Sequence, residues 1–145
     1  LESILKVSDR KIYFDGEIWE LQGTHDGYLK EYGILHKRNI KFIPKELKYI
    51  GEDRIICKKD FKKISFDIRF HLMPETNAIK TQDKKSILLQ LKKSGWKFTC
   101  NSENFGLETG LYFGEKNTYT ENVNIFINGE IIKEEEVINW EIKKI

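Results

Sequence analysis

The hydrophobic residues of this chain recur at every second position along nearly its whole length. The pattern is clearest in residues 64–73, where Ile64, Phe66, Ile68 and Phe70 alternate with polar residues. A period of two places alternate side chains on opposite faces of a strand, so one face can be buried. No stretch combines helical spacing with capping residues, so we expect at most one turn of helix.

Short strands separated by turn signals at this spacing predict an all-β fold, an antiparallel β-sandwich of about ten strands. Asp15-Gly16 and Asn128-Gly129 are typical hairpin turns. Residues 23–27 and 51–53 read as breaks, and the charged runs 58–63 and 133–136 read as loops. The predicted strands are 12–14, 18–22, 34–43, 47–57, 64–73, 78–81, 86–91, 96–100, 105–113, 119–127 and 137–142.

The length of 145 residues is that of one domain, which we assign to residues 1–145. With 39% hydrophobic and 33% charged residues, the composition is typical of a globular protein and excludes a disordered chain. The chain begins with Leu1 and not with Met, so we expect a fragment of a longer protein. Apolar runs are too short for a membrane span, and RNA-binding signatures are missing, so we expect neither a membrane nor a nucleic-acid partner.

Charge is distributed unevenly along the chain. Residues 101–145 contain four Lys against nine Glu, a net charge of −5, whereas residues 1–100 have 21 basic and 14 acidic residues, or +7. A basic face attracts an anionic polymer by long-range steering. Lysines on the solvent side of strands also prevent edge-to-edge pairing, which is the commoner reason for such a pattern.

The two cysteines, Cys57 and Cys100, are predicted to be small buried residues in strands. A disulfide between them is the alternative, and their wide spacing does not indicate a metal site. Among the three tryptophans, Trp96 and Trp140 lie in alternating segments and are predicted core residues, while Trp19 is a candidate for stacking on a sugar ring.

His25, Asp26 and Tyr28 lie together in a predicted loop, where binding and catalytic residues are often found. Tyr28 can donate a hydrogen bond to a sugar hydroxyl, or act as a base if its pKa is lowered. The alternative is a tight turn in which Asp26-Gly27 sets the geometry and the Tyr28 ring packs. The residues alone favour neither interpretation.

A second candidate cluster combines His36, Arg38, Asp53 and His71. His36 and Arg38 share one face of their predicted strand, and we hypothesise that His36, Asp53 and His71 meet on one face of the sheet. Such a polar cluster would order the sheet or hold a uronate carboxylate through Arg38. A zinc site made from His36, Asp53 and His71 is the alternative that we rank lower, because their spacing is not that of a zinc motif.

An ordered series of short motifs resembles the C-terminal part of heparinase II/III-like proteins, over about residues 19–142. The series comprises His25-Asp26-Gly27-Tyr28, Gly33-x-x-His36-x-Arg38, Gly51-Glu52-Asp53, Arg69-Phe70-His71-Leu72-x-Pro74, Gly95-Trp96-x-Phe98 and Trp140.

The resemblance implies a polysaccharide lyase that cleaves acidic, uronate-containing polymers by β-elimination, with an N-terminal α/α toroid as the partner of this domain. It implies that the main catalytic residues and a His-x-His-x-Asp metal motif lie upstream, so no cofactor is expected within this chain. It also implies a periplasmic or cell-envelope location. A non-catalytic glycan-binding β-sandwich module is the alternative function.

Overall fold

The computed structural model describes residues 6–59 and 63–145 and contains two antiparallel sheets built from eleven strands. The strands are β1 (Val7–Phe14), β2 (Trp19–His25), β3 (Ile34–Ile43), β4 (Lys48–Cys57), β5 (Ile64–His71), β6 (Asn77–Lys80), β7 (Ile87–Leu91), β8 (Ser94–Cys100), β9 (Phe105–Tyr112), β10 (Thr120–Ile131) and β11 (Glu135–Lys144). The predicted all-β antiparallel sandwich is therefore confirmed.

The two sheets differ greatly in size. The larger one has eight strands in the order β1-β2-β3-β4-β11-β8-β7-β6, and the smaller one has three in the order β5-β10-β9. The chain crosses from the larger sheet to the smaller one between β4 and β5 and again between β8 and β9, so neighbours in sequence are not always neighbours in a sheet.

The hydrophobic core lies between the smaller sheet and the middle of the larger one. Phe98, Ile87, Ile125 and Ile127 are completely buried there. Ile64, Phe66, Ile68 and Phe70 of β5 all face this core, as the alternation in residues 64–73 predicts. Trp140 is buried and Trp96 packs against the core, which confirms both as core residues.

Glycine at two places was wrongly read as a strand end. Gly51 lies inside β4, and Gly129 lies inside β10, where it pairs with Phe66. In both cases an aromatic ring occupies the space above the glycine, because an added Cβ would lie 2.0 Å from the Trp140 ring or 2.3 Å from the Phe66 ring. Close approach of a ring, and not a turn, therefore explains these glycines.

In the part of the chain that the structure describes, helical structure is limited to a four-residue helix α1 (Leu29–Tyr32) and a 3-10 turn (Pro44–Glu46), as expected. Neither is long enough to cross a membrane. Cys57 and Cys100 are unpaired, partly buried thiols at the ends of their strands. Of the predicted loop 58–63, residues 60–62 lie outside the described residues, and the predicted loop 133–136 ends early because β11 begins at Glu135.

Candidate functional site

A fully buried carboxylate, Asp53, lies at the centre of the larger sheet. Its Oδ1 accepts hydrogen bonds from His36 Nε2 at 2.5 Å and Arg38 Nε at 2.7 Å. Its Oδ2 accepts from Arg38 Nη2 at 3.1 Å and Trp140 Nε1 at 2.8 Å. Each oxygen thus has two donors, which leaves the carboxylate little capacity to act as a base. We call these four residues the Asp53 cluster.

The register of three adjacent strands brings the cluster together. Arg38 of β3 lies directly opposite Asp53 of β4, and His36 lies two positions along β3 on the same face. Trp140 of β11 lies opposite Gly51, whose missing side chain lets the indole ring lie across β4 and reach Asp53. The equal parity of His36 and Arg38 predicted their common face. The indole N–H was missed, although a buried tryptophan usually has a hydrogen-bond partner.

Phe70 of the smaller sheet covers the Asp53 cluster from above. Its ring packs edge-on against Trp140, with centroids 4.9 Å apart, and lies 5.5 Å from the Arg38 guanidinium. A cation over an aromatic face is attracted by the negative potential of the ring. The cluster is therefore part of the contact between the two sheets.

The neighbours of Asp53 decide its charge state. Burial alone raises the pKa of the carboxyl group, but hydrogen bonds from His36, Arg38 and Trp140 and the charge of Arg38 outweigh this effect and hold the pKa below its usual value. Asp53 is therefore an anion at neutral pH. Because an ionised carboxylate can only accept hydrogen bonds, the proton in the contact with His36 lies on Nε2.

His36 and Arg38 also border two clefts, since their side chains are 27% and 35% exposed. A cleft of about 560 Å³ lies between β5 and β3 and is also lined by Tyr28 and Tyr32 of the α1 segment. A second, of about 410 Å³, extends over β1 and β2 and is also lined by His25.

His25, Asp26 and Tyr28, which were predicted to lie together in one loop, have different roles in the structure. His25 is the last residue of β2, paired with His36, and not part of a loop, because β2 continues through residues 23–25. Asp26 Oδ1 accepts a hydrogen bond from the Lys6 backbone N–H at 2.8 Å, and its carbonyl accepts one from Leu29 N–H. Asp26 therefore shapes a turn. Tyr28 is 52% exposed and packs edge-on against the His25 ring.

His71 does not join the Asp53 cluster, and the expectation that it would was wrong. It lies on β5, which belongs to the other sheet, and its neighbour Phe70 is the residue that faces the core. Alternation therefore directs His71 to the outer face, where its Nδ1 lies 3.0 Å from Asn124 Oδ1. Within residues 6–59 and 63–145, no three His, Cys, Asp or Glu side chains form a metal-binding group. His36, Asp53 and His71 therefore do not converge on one ion.

Comparison with known proteins connects this architecture to a family. The family model described as Heparinase II/III-like, C-terminal, matches residues 3–141. No curated protein matches the chain.

Two solved structures share the fold. One, described as a heparinase III gene product, aligns with 98% of this chain at a TM-score of 0.74 and 16% identity, over 21% of its own length. Another, a heparinase III gene product with methylated lysines, aligns with 90% of this chain at a TM-score of 0.70 and 17% identity, over 20% of its length. The chain thus spans about a fifth of the length of these structures. With the family match over residues 3–141, it follows that the chain belongs to the heparinase II/III-like family and corresponds to its C-terminal domain.

Proposed function

We propose that this chain is the C-terminal β-domain of a polysaccharide lyase that cleaves uronate-containing polymers by β-elimination. The family match over residues 3–141 is the observation that carries the proposal. In this reaction a base removes the proton at C5 of the uronate, and a double bond forms between C4 and C5 as the C4–O bond breaks. The glycosidic oxygen leaves with the preceding sugar and takes up a proton to become a hydroxyl group. The base and any metal motif are assigned to the parent protein outside this chain, with an N-terminal toroid as the partner domain.

The Asp53 cluster supports a non-catalytic role for the domain. Its one carboxylate accepts hydrogen bonds at both oxygens and is completely buried, so it is poorly placed to remove a proton from a substrate. We propose that the cluster orders β3, β4 and β11 and fixes the contact with the smaller sheet. Binding of a uronate carboxylate by Arg38 is the alternative, supported by the partial exposure of its side chain.

The location of the chemistry is tested by comparing the parent protein with the 145-residue chain on a panel of uronate polymers. We expect the parent to release unsaturated products, detected by ultraviolet absorbance, and the isolated chain to release none. Activity from the isolated chain would contradict the proposal. An inactive but folded parent protein would contradict the assignment as a lyase.

The role of the cluster is tested in the parent protein with Arg38→Lys, and Arg54→Lys is the matched control. Arg54 lies on the neighbouring strand and pairs with Glu52 and Glu135, away from the cluster. If Arg38 only orders the sheet, its substitution lowers thermal stability and leaves KM unchanged. If it binds the uronate, loss of the two-pronged hydrogen bond raises KM by about tenfold or more.

A glycan-binding module remains a second candidate, because one surface suits it. Trp19 and Phe14 stack with centroids 4.5 Å apart and are 41% and 46% exposed. Basic residues Arg10 and Lys11 line the adjacent cleft. Saturable binding of acidic polysaccharide that weakens with salt and is lost in Trp19→Ala would favour this function, because screening weakens charge steering.

A further inference from the structure

Among the residues that the structure describes, none covers the inner face of the larger sheet at its β1 and β2 end. The register aligns Ile12 of β1, Leu21 of β2 and Ile40 of β3 on one face, and Ile40 packs against the core, so all three face inward. Ile12 and Leu21 are nevertheless 74% and 44% exposed. Contiguous exposed apolar surface of this kind marks an interaction site.

The edge strand β5 of the smaller sheet lies next to β3, where the exposed apolar surface of β1 and β2 begins. At the far side of the smaller sheet, β9 approaches β6, and Lys80 Nζ donates to the Phe105 carbonyl at 2.5 Å. On the near side, β5 pairs with β10 only, and no other strand among residues 6–59 and 63–145 pairs with it. In an antiparallel edge strand, alternate N–H and C=O groups point away from the sheet and can pair with an added strand.

The open edge of β5 and the uncovered apolar face border two clefts that share His36 and Arg38 and that we together call the groove. The cleft of about 560 Å³ runs along β5 and contacts Ile34, His36 and Arg38. The cleft of about 410 Å³ begins at the same His36 and Arg38 and continues over β1 and β2. Since neighbouring strands lie about 4.8 Å apart, roughly two strands beside β5 would extend the smaller sheet across this face.

We propose that the groove receives an extended segment of the parent polypeptide from outside these 145 residues, which pairs with β5 and completes the smaller sheet. An open strand edge selects a strand as the occupant, because a helix or a sugar chain leaves its backbone groups unpaired. Alternate apolar side chains on this segment would cover Val7, Ile12 and Leu21. The heparinase III structures are about five times as long as the region that matches this fold, so their relatives have polypeptide available for this purpose.

The proposal rests on the part of the proposed function that makes this chain one domain of a longer protein. It does not depend on lyase chemistry, so a parent protein without lyase activity would leave it standing, whereas an unpaired β5 edge in an active parent would overturn this proposal alone. The proposal favours the ordering role of the Asp53 cluster, because the added segment would cover Arg38 and His36 from the groove.

Burial of the β1 face under the added segment is tested in the parent protein with Ile12→Cys, and Ile79→Cys is the matched control. Ile79 is 68% exposed at the opposite edge of the larger sheet. The rate of thiol alkylation at each introduced cysteine is measured by peptide mass spectrometry, which separates it from alkylation of Cys57 and Cys100. The rate in denaturant divided by the rate in the folded protein gives the protection factor of each site. We expect Ile12→Cys to react at least about tenfold more slowly than Ile79→Cys. Equal protection factors would overturn the proposal.

Backbone pairing is tested by amide hydrogen exchange of β5 in the unmodified parent protein, with β10 as the internal reference. Pairing with an added strand protects the amides on both sides of β5, whereas an open edge leaves about half of them in rapid exchange. Rapid exchange of that half would overturn the proposal even if Ile12→Cys is protected, because the cover would then not be a strand on β5. Protection that disappears on dilution would indicate a second copy of the chain, and protection that requires added alginate would indicate a polysaccharide. Either result would also overturn it.

Discussion

Two regions of the larger sheet have the same alternation of side chains and opposite burial. In the covered region, Phe98 of β8 is completely buried against Phe70 and Phe105. In the open region, Phe14 of β1 is stacked on Trp19 but remains 46% exposed. Strand patterning is therefore sufficient to place an aromatic ring on the inner face, but the layer above that face decides whether the ring is buried.

We expect the largest effect when a phenylalanine is replaced by alanine in the covered region, and the same substitution in the open region provides the comparison. Phe98→Ala removes a buried ring and is expected to lower the free energy of unfolding by about 3–5 kcal/mol. Phe14→Ala loses mainly its stack on Trp19 and should cost about 1 kcal/mol or less. Urea unfolding of the 145-residue chain measures both. Similar losses for the two variants would show that the two regions are equally buried.

The Asp53 cluster belongs to the covered region, and Asp53→Ala should cost about 3 kcal/mol. The substitution leaves the buried Trp140 N–H without its acceptor and the partly exposed Arg38 guanidinium without its counter-ion. The larger share of the cost comes from the buried N–H and from the cavity, because a buried donor without a partner is costly. Glu52→Ala is the neighbouring control, since Glu52 pairs with Arg54 in a partly exposed ion pair worth at most about 1 kcal/mol. A cost for Asp53→Ala as small as that of the control would show that the cluster does not order the sheet.

Replacing one glycine in each region by alanine compares how closely side chains pack against the backbone there. In the covered region, Gly51→Ala places a methyl group 2.0 Å from the Trp140 ring, so the ring must move away from Asp53, at about 1–3 kcal/mol. In the open region, Gly23→Ala brings its methyl group within 3.3 Å of a single Val7 methyl group, which has room to move. We expect less than about 1 kcal/mol there. Thermal unfolding of both variants gives the difference in stability between them. A larger loss of stability for Gly23→Ala than for Gly51→Ala would contradict the prediction.

The smallest expected effect is the pH dependence from Asp53. Because its pKa is lowered in the folded protein, its contribution to stability is complete above the unfolded pKa and is lost as pH falls through the folded pKa. Asp53→Asn should therefore show a shallower loss of stability with acid than the unsubstituted chain. Urea midpoints measured from neutral to acidic pH test this, and parallel curves would show that another carboxyl group dominates acid unfolding.

Much of the fold could be predicted because it depends on local pattern. β3 was predicted with its observed bounds, since its residues alternate in character and Pro44 follows it. The errors came from long-range contacts. Asn128-Gly129 has the composition of a hairpin turn, but β10 continues through it because Phe66 of β5 packs over Gly129. No local signal distinguishes a glycine in a turn from a glycine beneath a ring.

The sequence by itself determined which residues alternate, where most strands lie and that His36 shares a face with Arg38. These follow from the period of two, which is a property of each strand alone. Only the tertiary structure decided that β5 leaves the larger sheet, that His71 therefore faces outward next to Asn124, and that Trp140 completes the contacts of Asp53. The choice of sheet depends on pairing between strands far apart in the chain, and residues within one strand do not encode it.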